Sequence, residues 1–318
     1  MTLKELYELL VKEGMNADPR GKAVVEKCLA RAKKAYQKLE APAKEEFDTE
    51  ALSNPYCDTR VLYGSLEKKI QTLLVGIDIA EAEVLLADRL NQKNEKIDAV
   101  MSHHPAGRAL AGLAEVMEVQ IDILKDLGVP INVVESLMSD RMAEVNRRVM
   151  PSNHGRAVDA ARLLDIAFLC GHTVADNHVA SYLQKLIDKE KPDTLSDVLD
   201  ILRKIPEYRQ ATLEKAGPKI IAGEASRRAG KIFVDMTGGT EGSKDIFDKL
   251  AQAGVGTILA MHLSEEHLKK VKAEHINVII AGHIASDNLG MNMLLDKVEK
   301  KEKLRIIECS GFKRVKRK

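Results

Sequence analysis

The stretch Ile97-Asp98-Ala99-Val100-Met101-Ser102-His103-His104-Pro105 joins a short apolar run to two adjacent histidines and a proline. The run is typical of a buried strand, and Pro105 ends it because proline cannot donate to a sheet ladder and restricts the residue before it. In open α/β sheets ligands bind outside the carboxyl ends of the strands, where His103 and His104 fall. Adjacent residues of an extended chain point to opposite sides, so both imidazoles serve one site only if the backbone turns or two metal ions flank it.

Strand-like runs alternate with amphipathic helical stretches around this segment. The predicted strands are 72–78, 97–102, 131–134 and 165–170. The predicted helices between them are 80–90, 110–127 and 157–164. Strands that alternate with helices indicate an α/β fold with a largely parallel sheet. Residues 1–46 instead repeat apolar side chains at helical spacing, which predicts a helical N-terminal extension that packs on the main body or on another subunit.

A second series of strands follows a charged helical connector. The predicted strands are 231–236, 256–260, 276–281 and 304–309. The glycine-rich segment 237–243 matches neither the Walker pattern nor the dinucleotide fingerprint, and we interpret it as a tight turn between strand and helix. His262 follows the second of these strands and is a further candidate for the site. We therefore divide the chain into a helical extension (1–46), a first α/β lobe (47–190), and a connector with a second α/β lobe (191–318).

The motif Gly-His-x-x-x-Asp follows a predicted strand in each lobe. It places His172 and Asp176 after the first strand, and His283 and Asp287 after the second. Residues four apart share one face if a helix begins there, although Asp176 could instead be an ordinary acidic residue of a first helical turn. The repeat predicts two related α/β lobes that face each other across a cleft.

Three strand ends thus carry histidines, and two of them also carry an aspartate. Imidazole and carboxylate together, without thiolate, suit Zn, Fe, Mn or Co. Four or five such ligands exceed the number that a single catalytic zinc with an open position uses. Two ions that share a bridging carboxylate or water fit the count better, which predicts a dinuclear metal centre.

Composition limits the classes of partner. The chain has 318 residues, 49 basic and 48 acidic, and only 3% of its residues are aromatic. This balance of charge offers no large field to attract nucleic acid or an anionic membrane. We expect neither a transmembrane stretch nor a signal peptide. Four scattered cysteines are typical of reduced thiols, so we expect a soluble, cytoplasmic protein. We also expect His178, His267 and the basic tail 312–318 to face solvent.

The motifs SHHP, GHTVAD and GHIASD, in this order, resemble those of the dinuclear metal-centre proteins related to bacterial YbgI and the Ngg-interacting factor of yeast. Many of those proteins are labelled GTP cyclohydrolase 1 type 2 homologues. The resemblance covers about residues 45 to 318 and implies two divalent transition-metal ions per chain and toroidal homohexamers. The implied metal ligands are His103, His104, Asp176, His283 and Asp287.

The chain departs from this family at two places. Asp287 stands where the family usually has Glu, and its carboxylate is shorter by about 1.5 Å. We expect one ion to be held less tightly for this reason, unless the backbone carrying Asp287 moves inward. The stretch Ala260-Met261-His262 replaces a Thr-Gly-acid turn that is frequent in the family, which bears on substrate chemistry.

Two functions are consistent with these motifs. One is a metal-dependent hydrolase of a small molecule, with nucleotides among the candidate substrates and His172 or His262 as general acid or base. His172 matches a family histidine near the metals that is not always a ligand. The other is a non-catalytic metal-binding or regulatory oligomer.

Overall fold

The structure is a computed structural model that describes residues 1–317. Its strands are β1 (Thr59–Tyr63), β2 (Thr72–Gly76), β3 (Ala99–Ser102), β4 (Ala167–Gly171), β5 (Lys219–Ala222), β6 (Lys231–Asp235), β7 (Val255–Ala260), β8 (Asn277–Ile280) and β9 (Arg305–Glu308). Its helices are α1 (Leu3–Ala17), α2 (Lys22–Lys38), α3 (Ala41–Glu46), α4 (Glu81–Gln92), α5 (Gly107–Ala111), α6 (Leu113–Val116), α7 (Glu118–Asp126), α8 (Ile131–Val149), α9 (Arg156–Leu163), α10 (Thr173–Glu190), α11 (Leu195–Arg203), α12 (Pro206–Leu213), α13 (Phe247–Gln252), α14 (Glu265–Ala273) and α15 (His283–Lys301). Short 3₁₀ turns lie at Thr49–Leu52 and Lys244–Ile246.

The strands form two mixed sheets, which confirms the predicted α/β class. The first sheet has the order β1-β4-β3-β2-β9, and the second has the order β5-β8-β7-β6. In each sheet the first strand named is antiparallel to its neighbour and all other pairs are parallel. The order β1-β4-β3-β2 is therefore repeated by β5-β8-β7-β6, as expected for two related lobes.

The last strand does not lie where the sequence division put it. We assigned 304–309 to the second lobe, but β9 pairs with β2 at the edge of the first sheet. The chain thus returns to its first half after α15, because the apolar edge of β2 offers a parallel partner. The other predicted bounds of the three segments stay a prediction.

The predicted strand at 131–134 is wrong, since these residues begin helix α8. The β-branched run favours a strand locally, but Val134, Met138 and Val145 continue it at helical spacing and are all buried. Pro130 directly precedes the helix, a position that its fixed φ suits. Strand β1 was not predicted at all.

The helical extension is part of the main core. Leu3, Leu6 and Leu10 of α1 are fully buried and belong to the same apolar cluster as Leu73 of β2. Gly14 lets α1 approach α10, because a Cβ there would lie 2.5 Å from Cγ1 of Val174. Helix α1 of the extension therefore packs on its own chain.

The basic tail is fixed to the surface of α15, so the predicted solvated terminus is wrong. Phe312 is 1% exposed. The side chains of Asn288 and Asn292 bond the tail backbone on both sides of it, with Asn288 Oδ1 accepting from Lys313 N at 2.6 Å. Arg314 and Arg317 pair with acidic groups of α15 and α12. Lys318, the last residue of that tail, lies outside the described residues.

Helices α10 and α15 join the two lobes by packing side by side. Each begins directly after a strand, α10 after β4 and α15 after β8. Gly290 makes their closest approach possible, because a Cβ at this position would lie 2.4 Å from the carbonyl oxygen of Ala175. No helix among residues 1–317 is both long and apolar enough to cross a membrane.

The first prediction concerns this helix contact. Gly290→Ala should lower the free energy of unfolding by about 1–3 kcal/mol, because the added methyl group forces the helices apart and this outweighs the better helix propensity of alanine. Urea unfolding would measure the change. Gly155→Ala is the matched control, since its new methyl group would meet nothing closer than 3.8 Å. Equal stability of the two variants would contradict the prediction.

Candidate metal centre

Six of the seven candidate residues meet where three strands end. His103 and His104 follow β3, His172 separates β4 from α10, and His283 is the first residue of α15. Asp176 and Asp287 each lie one helical turn beyond the histidine that precedes them, on the same face. The remaining candidate, His262, lies beside them, with its ring centroid 4.8 Å from that of His283.

Asp287 stands at the centre of this cluster. Its Oδ1 lies 3.5 Å from His103 Nε2, which is itself 3.5 Å from Asp176 Oδ1. Its Oδ2 lies 3.5 Å from His104 Nε2 and 3.6 Å from His283 Nε2. The cluster contains three overlapping sets of three ligand-type residues, and two of them share Asp287: one with His103 and Asp176, the other with His104 and His283. The third set is His103, His104 and His172.

These distances fit metal ligands better than hydrogen bonds. Two ligand atoms on one tetrahedral zinc, each about 2.0–2.2 Å from it, lie roughly 3.3–3.6 Å apart. The buried atoms His103 Nε2, Asp176 Oδ1 and both carboxylate oxygens of Asp287 have no hydrogen-bond partner among the described residues. Buried polar atoms without partners are rare in proteins, and four of them converge here. The cluster could therefore bind metal ions.

Two further carboxylates orient the histidines, and the sequence did not single them out. His104 Nδ1 donates to Asp78 Oδ1 at 2.8 Å. His172 Nδ1 donates to Asp58 Oδ2 at 2.8 Å, and Thr173 Oγ1 donates to the same oxygen at 2.6 Å. A carboxylate on one ring nitrogen fixes the tautomer and leaves the other nitrogen to the site. Asp78 ends a predicted strand, and Asp58 directly precedes β1, which was not predicted. Neither aspartate lies in a recognisable motif, so only the fold reveals their role.

Burial and charge set the protonation of the cluster. Burial lowers the pKa of His103 to about 4, so the ring is neutral at pH 7, as a ligand must be. Although burial opposes ionisation, the three neighbouring histidines hold the pKa of Asp287 well below its usual range. Burial raises the pKa of Asp176 to about 7. His172 is opposite in behaviour: burial lowers its pKa, but Asp176 and Asp58 outweigh burial and raise it to about 9.

A cleft that is partly open to solvent extends from this cluster. His172, Asp176, His283 and Asp287 form one end of it. His262 lines the next part, where its Nδ1 lies 3.3 Å from Glu241 Oε1, an interaction that raises the pKa of the imidazole. The cluster is therefore accessible to a small molecule on the side where His262 lies.

The glycine-rich segment 237–243 forms one wall of the cleft, as a turn without regular structure. Gln120 of α7 fills the space against it and donates from Nε2 to the carbonyl oxygens of Gly238 and Thr240. A Cβ on Gly238 would lie 2.7 Å from Gln120 Cγ, and φ is +91° there. The glycines are thus needed for close packing, in keeping with the predicted tight turn.

Two histidines that we expected at the surface are buried. His178 and His267 are each 6% exposed. His267 lies against the ring of Phe247, and its Nε2 lies 3.0 Å from the carbonyl oxygen of Gly242. The helical periodicity near each residue was too short to show which face packs on the body, so these two predictions were wrong.

Two like sheets with a buried His/Asp cluster at their strand ends define the class: an α/β protein with a site that could hold metal ions. The chain matches no protein-family model and no curated protein. Solved structures do match. The NIF3 superfamily protein from Sphaerobacter thermophilus is 27% identical with a TM-score of 0.70, and the match covers 80% of this chain and 92% of that one.

Two more distant structures also match, the first of which has the same fold. HcgD from Methanocaldococcus jannaschii is 16% identical with a TM-score of 0.51, covering 83% of this chain and 93% of that one. The protein ybgI is 14% identical with a TM-score of 0.45, covering 86% and 97%. The resemblance drawn from the three motifs is confirmed by the first structure, which is that of a NIF3 superfamily protein.

The second prediction concerns Asp235, a carboxylate in the wall of the cleft. Burial raises its pKa from the usual 3.8 to about 6, with His262 lowering it and Glu241 raising it. The folded chain therefore binds more protons than the unfolded chain between about pH 4 and 6, and Asp235 costs stability as the pH rises through this range. Asp235→Asn should raise the free energy of unfolding by about 1–3 kcal/mol at pH 7 but not at pH 4.

Unfolding curves at several pH values would measure this difference. Asp140→Asn is the control, because Asp140 is exposed and lies outside this cleft. A pH-independent difference between wild type and Asp235→Asn would contradict the assignment.

Proposed function

We propose that this protein is a hydrolase that acts on a small molecule with the help of two divalent transition-metal ions, Zn, Fe, Mn or Co. The observation that carries the proposal is the position of Asp287, which is shared by two sets of ligand-type atoms and lies at the end of an open cleft. His103, Asp176 and Asp287 would hold one ion, and His104, His283 and Asp287 the other. When bound, two such ions supply Lewis acidity toward a water molecule and toward the substrate.

The roles of the remaining residues follow from their contacts. Glu241 holds Nδ1 of His262, and no described residue hydrogen-bonds to its Nε2, so His262 can exchange a proton with a substrate at this atom. Asp58 holds Nδ1 of His172. The other ring nitrogen of His172, Nε2, lies 3.7 Å from Asp176 Oδ2, beside the cluster. His172 is therefore the second candidate for a general acid or base.

The short side chain of Asp287 reaches both sets of ligands. Its two oxygens lie 3.5–3.6 Å from three imidazole nitrogens, so no intervening water is needed. This favours the alternative of a backbone that lies further inward over the expectation of one weak site. The contact of Gly290 with Ala175 brings α15 close enough for this reach.

The third prediction concerns metal content. Elemental analysis of protein reconstituted with Zn, Mn or Fe should give about two ions per chain, as dinuclear sites have. His103→Ala and Asp176→Asn should lower this content, and Asp140→Asn should not. Asp287→Glu should weaken binding because the longer side chain crowds the cluster. A protein that stays metal-free after reconstitution would refute the metal centre itself.

The fourth prediction concerns catalysis. Metal-replete protein screened against nucleotides, phosphoesters and cyclic amides should show turnover that His104→Ala abolishes. His262→Gln should lower the rate by about 10²–10⁴, as loss of a general acid or base does, with unchanged metal content. If metal binds but nothing in a broad screen turns over, the alternative of a non-catalytic metal-binding or regulatory oligomer is favoured.

The fifth prediction is a closed homo-oligomer, which we propose to be a hexamer on the strength of the family resemblance. The apolar face of α1 gives no support, because it is covered by the same chain. Light scattering at micromolar concentration should give a mass near six chains. A monomer under these conditions would exclude the hexamer.

A further inference from the structure

The charge of the cleft walls limits what can bind there. Besides the four residues of the metal cluster, the wall carries the carboxylates Asp235 and Glu241 and the imidazoles His262 and His267. Among residues 1–317, no lysine or arginine lines this cleft. A phosphate chain would find no guanidinium or ammonium group to pair with, beyond any metal ion at the far end. The protein groups that line the cleft therefore disfavour the binding of polyanions.

The two wall carboxylates differ in their contacts. Glu241 accepts a hydrogen bond from the backbone N–H of Ser264 at 2.6 Å and lies against His262, so its charge is already engaged. Asp235, at the end of β6, is half-buried in the cleft wall and has no hydrogen bond or ion pair with any described residue. A carboxylate without a protein partner in a cleft is free to pair with a ligand.

Part of the cleft wall is apolar. Leu124 of α7 and Phe247 and Leu250 of α13 line it, and each is less than 6% exposed. Asp235 is in parallel register with Ala260, two residues before His262, so it lies at the same sheet edge as His262. A ligand in the cleft can therefore meet an apolar surface, Asp235 and His262.

We infer that the cleft takes a small ligand with an apolar or aromatic body and a cationic nitrogen group, such as an amidine, guanidine or amine, that pairs with Asp235. The inference deepens the proposed function, since it names the substrate class for the same site, but the pairing itself needs no metal. It makes Asp235 a specificity-determining residue and predicts that nucleoside triphosphates bind weakly to the metal-free protein.

Three probes of equal shape test the inference: benzamidine, which is cationic, benzamide, which is neutral, and benzoate, which is anionic. Titration calorimetry on chelator-treated protein measures their binding without competition from metal ligation. Benzamidine should bind at least about tenfold more tightly than benzamide, because it makes a charge-assisted hydrogen bond. Benzoate and GTP should bind more weakly than either.

Asp235→Asn should abolish the preference for benzamidine over benzamide, while Asp140→Asn should keep it. The thermal midpoint of Asp235→Asn at pH 7.5 should equal or exceed that of wild type, which shows that any lost binding does not come from misfolding. Equal affinities of wild type for benzamidine and benzamide would overturn the inference, as would a preference that survives in Asp235→Asn. Tight GTP binding would also overturn it. Metal content is measured separately, so failure of the metal centre and failure of this inference are distinguishable.

Discussion

The contact between α10 and α15 is the constraint on which the rest of the site depends. Asp176 and Asp287 follow strands of different sheets and are 111 residues apart in sequence, yet each has an oxygen 3.5 Å from His103 Nε2. Only helices in close contact can bring two carboxylates to one imidazole, and Gly290 permits that contact by leaving the carbonyl oxygen of Ala175 uncovered. The aspartates sit in the first two turns of their helices, so small shifts of the helix axes would move them directly.

The repeated strand order explains how one site draws on both halves. β3 and β7 occupy the same place in their sheets, so the stretch after β3 that carries His103 and His104 corresponds to Met261 and His262 after β7. His104 is oriented by Asp78, and His262 by Glu241. The two sheets thus share their strand order, but only the strand end after β3 contributes a histidine pair to the cluster.

Sequence reasoning predicted the site better than its surroundings. The two Gly-His-x-x-x-Asp motifs carry their own geometry, because a strand end and a helical turn fix where His172, Asp176, His283 and Asp287 point. Asp58 was missed because it reaches His172 through tertiary packing across 114 residues. The strand predicted at 131–134 failed because β-branched residues favour strands only locally. The docking of the tail depends on Asn288 and Asn292 of α15, whose role no pattern within the tail could reveal.

The unpaired charges of the site are consistent with a fold that is completed by its ligands. Each buried polar atom without a partner costs about 1–3 kcal/mol, and four such atoms of the cluster lie together. The helices and strands that carry these atoms are fixed by the apolar cores around both sheets. Apolar packing therefore outweighs the free-energy cost of the unpaired polar atoms. A cation that binds the folded state and not the unfolded state then adds stability that rises with the logarithm of its concentration divided by its Kd. The same argument applies at Asp235, where a cationic ligand rather than a metal ion would offset the cost of burying the charge. One cleft thus contains two separate sites that favour positive charge.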